Sequence, residues 1–392
     1  MNKAILQKKV QQYINDHLND DIIAILLGKS PFNNVSSKEI AEQIDVKKRA
    51  EKKLPRWFST PNIYYPAKLS MEQASSEATA AYKSQLAHGA KLIDITGGYG
   101  VDSVHFSTTI KQVIHCEKDT SLSEIAVHNS SLLNADNIHF FIGDGVDYLL
   151  STKETIDTVY LDPSRRVKTN KVFMLKDCEP DITKNLNLML AKANRVILKT
   201  SPLLDLQSGL QQLQQVSEIH VLSVKNDCKE ILWIIDRAFI GEVRIFSVAI
   251  NNTEQQIFSF DRSEEKALTL ENYSEPLQIL YEPDVALLKA GCFKLIAKRY
   301  GIQKLHINTH LYTSNELKKE FIGRIFRVIS SMSYKIFIKN SHLKKANIIA
   351  RNFPLSTAEL KKKHGLSDGG DDYLFFTTGL DNKLITIHAK RV

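Results

Sequence analysis

Residues 92–103 read LIDITGGYGVDS, and no other stretch constrains the fold as strongly. A short apolar run, Leu92 to Ile95 with Asp94 inside it, meets Gly97, Gly98 and Gly100 at once, and Asp102 closes the turn. That order predicts a strand, a glycine loop and a helix. Glycines there let backbone approach a ligand with no Cβ in the way. A dinucleotide fingerprint has its first glycine where Thr96 stands, and Gly97 is added. Asp94 also sets a carboxylate where such a fingerprint leaves room for phosphate. A cofactor with a positively charged amino-acid end suits that carboxylate better than a pyrophosphate does.

The rhythm around the loop is that of a parallel sheet. Strands are expected at 92–96, 112–117, 138–142, 157–162, 194–200, 218–224 and 231–236. The first five are short, apolar and β-branched, and helical stretches long enough for crossovers separate most of them. The last two differ, because only residues 225–230 lie between HVLSV and ILWIID. So short a link permits an antiparallel hairpin and no crossover helix. An ordinary dinucleotide-binding sheet stays parallel at that point.

Before this region, residues 1–60 read as polar helices, with Ser36 and Glu39 at capping-box spacing. Residues 64–88 read as a loop and an alanine-rich helix. After Asp236 the pattern turns to α+β. Two strands flank Asn251-Asn252, a helix is expected over 283–300, and strands at 304–309, 346–352, 373–377 and 384–390. A further helix starts at Ser356 or Thr357.

A chain of 392 residues, 43% hydrophobic, is expected to form two or three domains. Cys116, Cys178, Cys228 and Cys292 show no CxxC spacing, so neither a disulfide frame nor a zinc site is indicated. His105, His115, His128 and His139 have no metal-ligand spacing either. No run reaches membrane-spanning length and no signal-peptide core is present, so a cytoplasmic protein is expected, with no membrane partner and no metal. The net charge of +8 is uneven. Between Val285 and Ala350, 13 Lys and Arg face only Glu316 and Glu320, so this segment carries +11 and the remainder −3. Such a block suits a polyanion, RNA or DNA first, although a solvated lysine-rich surface has the same composition.

Three further sites follow the strands. Glu117 ends the second, 19 residues after Gly98, where an acid commonly accepts from ribose hydroxyls. Gly143-Asp144-Gly145 follows the third; Asp144 can accept from an adenine amino group, and Asp-Gly is equally a good turn. The fourth ends in Asp162-Pro163-Ser164-Arg165-Arg166. Proline restricts the backbone so that the carboxylate or a nearby carbonyl faces the cleft. Asp162 can orient a nucleophilic nitrogen or take its proton, and Arg165 and Arg166 can clamp a phosphate. No cysteine follows Asp162-Pro163, which disfavours carbon-5 methylation of a pyrimidine, a reaction needing a thiolate. Arg165 stands where adenine-N6 enzymes carry an aromatic ring for the flipped base.

The ordered set resembles bacterial class I S-adenosylmethionine-dependent methyltransferases with a C-terminal THUMP-like domain, often preceded by a ferredoxin-like module. The resemblance covers about residues 60–392. It rests on Tyr64-Tyr65-Pro66 with QASSEAT (73–79), on DITGGYGVD, on DPSRR, and on the long tail ARNFPLSTAELKKKHGLSDGGDDYLFFTT (350–378). It implies a doubly wound sheet with a final antiparallel strand, and S-adenosylmethionine as cofactor. Asp94, Gly97, Gly98 and Glu117 are implied at the methionine and ribose ends, with Thr96, Gly100 and Asp102 in the same loop. It places Asp144 near adenine, the Gln73–Thr79 helix start over the cofactor, and Asp162 with Pro163, Ser164 and Arg165 facing the methyl group. The implied parts are an N-terminal helical region (1–60), a methyltransferase domain (61–240), linker strands with the ferredoxin-like module (241–325) and a THUMP-like domain (326–392). N-methylation of a structured RNA, tRNA or rRNA, is the implied function. A methyltransferase for protein or small molecules, and a cofactor-binding RNA-binding module without catalysis, are the alternatives.

Overall fold

Five parallel strands carry the first half of the chain: β1 (Lys91–Asp94), β2 (Gln112–Glu117), β3 (Ile138–Ile142), β4 (Ile156–Leu161) and β5 (Ala193–Thr200). Their order is β3-β2-β1-β4-β5. Successive residues Val159, Tyr160 and Leu161 are all buried, so β4 is covered on both faces, as parallel sheets require. The computed structural model describes residues 1–165, 174–252, 254–270, 273–340 and 343–392, with Arg165 and Asn340 in backbone only.

β6 (Val216–Val224) and β7 (Asp227–Asp236) form the expected hairpin. Its turn is tighter than the sequence suggested. Lys225 and Asn226, at φ 52° and 61°, are the only residues between the strands, both left-handed as a two-residue hairpin turn favours. β7 then runs antiparallel to β5. The sheet is doubly wound and ends antiparallel, as the resemblance implied.

The chain divides into two compact units, Met1–Glu218 with Ile231–Gly241, and Ile219–Glu230 with Glu242–Val392. In the first, α1 (Ser37–Lys53) starts with the expected capping box of Ser36 and Glu39. Ile40, Ile44, Leu54 and Trp57 share one core cluster with Leu92 and Val113 of the sheet. The N-terminal helices are therefore built onto the sheet's hydrophobic core. Burial of each such side chain favours the fold by about 1.5–3 kcal/mol.

In the second unit, β8 (Arg244–Asn251) follows β6 in the sheet and pairs with β9 (Glu254–Asp261). A separate sheet has the order β11-β12-β10-β13-β16-β15-β14. These are β10 (Ile279–Pro283), β11 (Gln303–His306), β12 (Thr309–Ser314), β13 (Gly323–Ser333), β14 (Asn347–Arg351), β15 (Asp372–Thr378) and β16 (Leu384–Arg391). β14 and β15 are parallel, and the helix Thr357–His364 makes their crossover.

Three expectations change here. The helix over 283–300 is two, Val285–Ala290 and Phe293–Tyr300, because Gly291 adopts φ 77° and caps the first. The strand at 304–309 is a pair, β11 and β12. The eleven-residue β13 carried no clear signal, because its burial does not alternate cleanly.

Candidate active site

Strand order reverses between β1 and β4, so the chain segments leaving them diverge and open a crevice at the carboxyl edge of the sheet. The glycine loop follows β1, Glu117 ends β2, Asp144 follows β3, Asp162 follows β4, and Lys199 lies near the end of β5.

The loop is held from below. Gly97 N–H donates to the Cys116 carbonyl (2.8 Å) and Gly98 N–H to Glu117 Oε2 (2.8 Å). A Cβ on Gly97 would lie 2.3 Å from the His115 ring, so only glycine fits. Gly98 is left-handed at φ 56°, and Gly100, at φ 86°, caps the next helix, Val101–Phe106. The other Glu117 oxygen accepts from Asp119 N–H (2.8 Å). Each carboxylate oxygen thus keeps a lone pair for a further donor.

Asp94 is only 1% exposed. Its oxygens accept from Ser103 Oγ (2.7 Å) and Thr96 N–H (3.1 Å), and Ser103 in turn meets His115 Nδ1 (3.1 Å). Its carboxylate is therefore aimed at the loop's own donors. Burial pushes the Asp94 carboxyl up to about 7, against the pull of the Ser103 hydroxyl, and the nearby Asp102 and Asp162 charges add to the rise. The same burial drives His115 down to about 3, which makes it a neutral core ring. Thr96, the departure from the glycine pattern, has a role of its own. Asp162 N–H donates to its Oγ1 (2.7 Å), which ties the Asp-Pro turn to the glycine loop.

Asp102 joins a charged network. Its Oδ1 pairs with Lys83 Nζ (2.9 Å), and its Oδ2 accepts from Tyr160 Oη (2.7 Å) and Ser75 Oγ (2.8 Å). Burial alone would raise the Asp102 carboxyl, but the Lys83 and Lys199 charges outweigh it and hold it below its usual range. Lys199 Nζ also pairs directly with Asp162. Asp144 caps the helix Gly145–Ser151 through Val146 N–H (2.7 Å) and pairs with Lys118 (2.7 Å). Its carboxyl is lowered, because these donors overcome partial burial.

The remaining sites are placed as follows. Gln73 is exposed at the end of the helix Lys68–Gln73, and Thr79 is buried, bonded back to Ser76. Ser75 makes the link from this segment to the loop helix. Pro163 follows Asp162 at the crevice, and Ser164 and Arg165 pair as backbone with Glu179 and Cys178. Arg166 lies outside the described residues. Sequence reasoning missed Lys83, Lys199, Ser75 and Tyr160. A lysine near the end of the apolar strand RVILKT was a signal for Lys199. Lys83, in an alanine-rich helix, showed none.

Seven strands in the order 3-2-1-4-5-7-6, with a glycine loop at the point of reversal, define a class I methyltransferase fold. A ferredoxin-like domain family matches residues 280–321, and a THUMP domain-like family residues 323–391. The crystal structure of a Porphyromonas gingivalis W83 protein designated a methyltransferase is 32% identical, covers 100% of this chain and 98% of its own, and superposes with a TM-score of 0.89. A Streptococcus mutans protein designated a methyltransferase, in complex with S-adenosylhomocysteine, is 16% identical, covering 41% of this chain and 96% of its own at a TM-score of 0.31. TrmK of M. capricolum, also with S-adenosylhomocysteine, is 12% identical over 41% of this chain and 68% of its own, at a TM-score of 0.31. No curated protein matches the chain. The chain belongs to the family of class I S-adenosylmethionine-dependent methyltransferases with C-terminal ferredoxin-like and THUMP-like domains.

Proposed function

We propose that this chain transfers a methyl group from S-adenosylmethionine to a nitrogen of a structured RNA, tRNA or rRNA, in the cytoplasm. The observation that carries the reading is the grouping at one crevice of the glycine loop, Glu117, Asp144 and Asp162. The residues suit the cofactor. Gly98 offers backbone with no side chain, and a Cβ there would meet no atom closer than 3.7 Å, so its ligand side is open. Glu117, partly exposed, has acceptor capacity for two ribose hydroxyls. Asp144 is available to an adenine amino group. Asp94, being buried, acts on the methionine end through the loop conformation it holds.

When bound, the cofactor supplies a methyl group on a sulfonium already activated towards attack. The chain's task is then to hold the acceptor in line and to exclude water; such positioning is worth roughly 7–11 kcal/mol in favourable cases. Asp162 is the group that orients the acceptor nitrogen, and its turn is fixed from two sides by Thr96 and Lys199. A thiolate route finds no support nearby, since Cys116 and Cys178 are buried and burial pushes the Cys116 thiol up. Residues 61–240 act as the catalytic part with 1–60 built against it. Residues 241–325 and 326–392 serve as the ferredoxin-like and THUMP-like parts that dock RNA.

The test is transfer of labelled methyl from S-adenosylmethionine to total RNA from a strain lacking this gene, with wild-type RNA as the already modified control. Label confined to the deletion-strain RNA supports the reading, and the size class separates tRNA from rRNA. With cofactor binding shown separately, no label in either RNA rejects it. Asp162→Ala should lower transfer by about 10²–10⁴-fold while cofactor affinity, read by calorimetry, holds within about twofold.

A further inference from the structure

The catalytic reading leaves unused one end of the second unit. There two helices, α2 (Tyr334–Asn340) and α3 (Thr357–His364), share a small core with Leu374 and Phe376 of β15. Beside that core lies a cavity of about 270 Å³ lined by Phe337, Ile338, Leu343, Lys363 and His364. One wall is apolar and open, since Ile338 is 49% exposed. The other is cationic and polar. His364 is held in place by Tyr334 Oη at its Nε2 (2.9 Å) and lies parallel to Phe376, at 11°.

The surroundings carry one sign of charge. Lys335 and Lys339 ride on α2, Lys344 and Lys345 follow it, and Lys362 and Lys363 sit in the last turn of α3; all six are exposed. Neither 334–345 nor 360–366 contains an acid. Among the described residues, the neighbouring Lys361 pairs with Asp368, and Lys363 Nζ lies 5.5 Å from the centroid of the Tyr334 ring. An apolar wall set among exposed lysines matches a ligand that is flat and apolar in one part and anionic on either side of it.

We propose that this cavity takes one unstacked base of a single-stranded RNA segment, with Lys363 and the neighbouring lysines on the flanking phosphates. The proposal rests on RNA being the partner. A duplex keeps its bases stacked and leaves the cavity empty. Stacking of a base on an aromatic ring favours binding by about tenfold to hundredfold per base, and Phe337 is the phenyl ring lining this cavity.

The test uses the full chain and fluorescence anisotropy with two probes, a labelled 12-nucleotide oligouridylate and the same ribose-phosphate chain without bases. Wild type should bind the first about tenfold to hundredfold more tightly. Ile338→Glu should erase that difference, and Lys363→Ala should weaken both probes. Ile257→Glu, at another exposed isoleucine (49%), should leave the difference intact and controls for folding. Equal affinity of wild type for both probes overturns the base pocket while RNA binding stands, and so does a difference that survives Ile338→Glu. No binding of either probe, or of total RNA, at low salt overturns the pocket and the RNA reading together.

Discussion

A single methyl group decides the identity of residue 97. Its Cβ would sit 2.3 Å from the buried His115 ring, which has no room to retreat at 0% exposure. Gly97→Ala should therefore cost about 1–3 kcal/mol of stability and abolish measurable binding of S-adenosylmethionine. Calorimetric melting and titration read the two effects, and wild-type affinity in the variant would refute the loop assignment. The second residue-scale prediction concerns pH. Asp94 titrates near 7 in the folded chain and near 4 when unfolded. The folded state holds the proton more tightly, so the stability this confers is full below pH 4 and lost as pH rises to 7. The melting temperature of wild type relative to Asp94→Asn should fall across that window and level off above it; a constant difference would count against it. Gly97 and Asp94 were both legible as a motif. That the aspartate faces inward was not, since burial depends on Ser103 and His115 closing over it.

At the scale of elements, local signals located most boundaries near the sheet. The Ser36–Glu39 box, the five parallel strands and the hairpin all follow from period, caps and link length. Gly291 shows the limit. A helical pattern runs on through it, and only its positive φ ends the helix. The ion pair of Lys83 and Asp102 joins the helix Glu77–Ser84 to the helix after the glycine loop, with Lys83 at 0% exposure. Lys83→Met should destabilise the chain by about 3–5 kcal/mol, because Asp102 would keep its buried charge without that partner. Adding Asp102→Asn should restore part of the loss. Urea unfolding of both single variants and the double variant measures this. Additive costs would mean the pair is not coupled.

Over the whole molecule, positive charge is concentrated in one stretch of the sequence, which also supplies core residues such as Leu305, Leu311 and Phe326. The basic block falls within 285–350, and part of its charge is internally neutralised. Arg324 shares the buried Glu282 with Arg351, Arg299 pairs with Glu264, and Lys304 is buried, its amine lowered to about 8 by that burial. The lysines that stay exposed should make RNA affinity fall by about 10²-fold between 50 and 200 mM salt. Affinity that is flat across that range would assign the basic region to solvated surface.

The sequence by itself determined the order of strands and crossovers, the antiparallel end of the sheet, and the run of acids after successive strands. These depend on periodicity and on residues close together in the chain. Only the tertiary structure decided that Lys199 meets Asp162, that Lys83 meets Asp102, and that the buried Asp94 accepts from Thr96 N–H and Ser103 Oγ. Each of those contacts joins residues separated along the chain or depends on packing from both sides. Their energies arise from a dielectric that exists only once the core has closed.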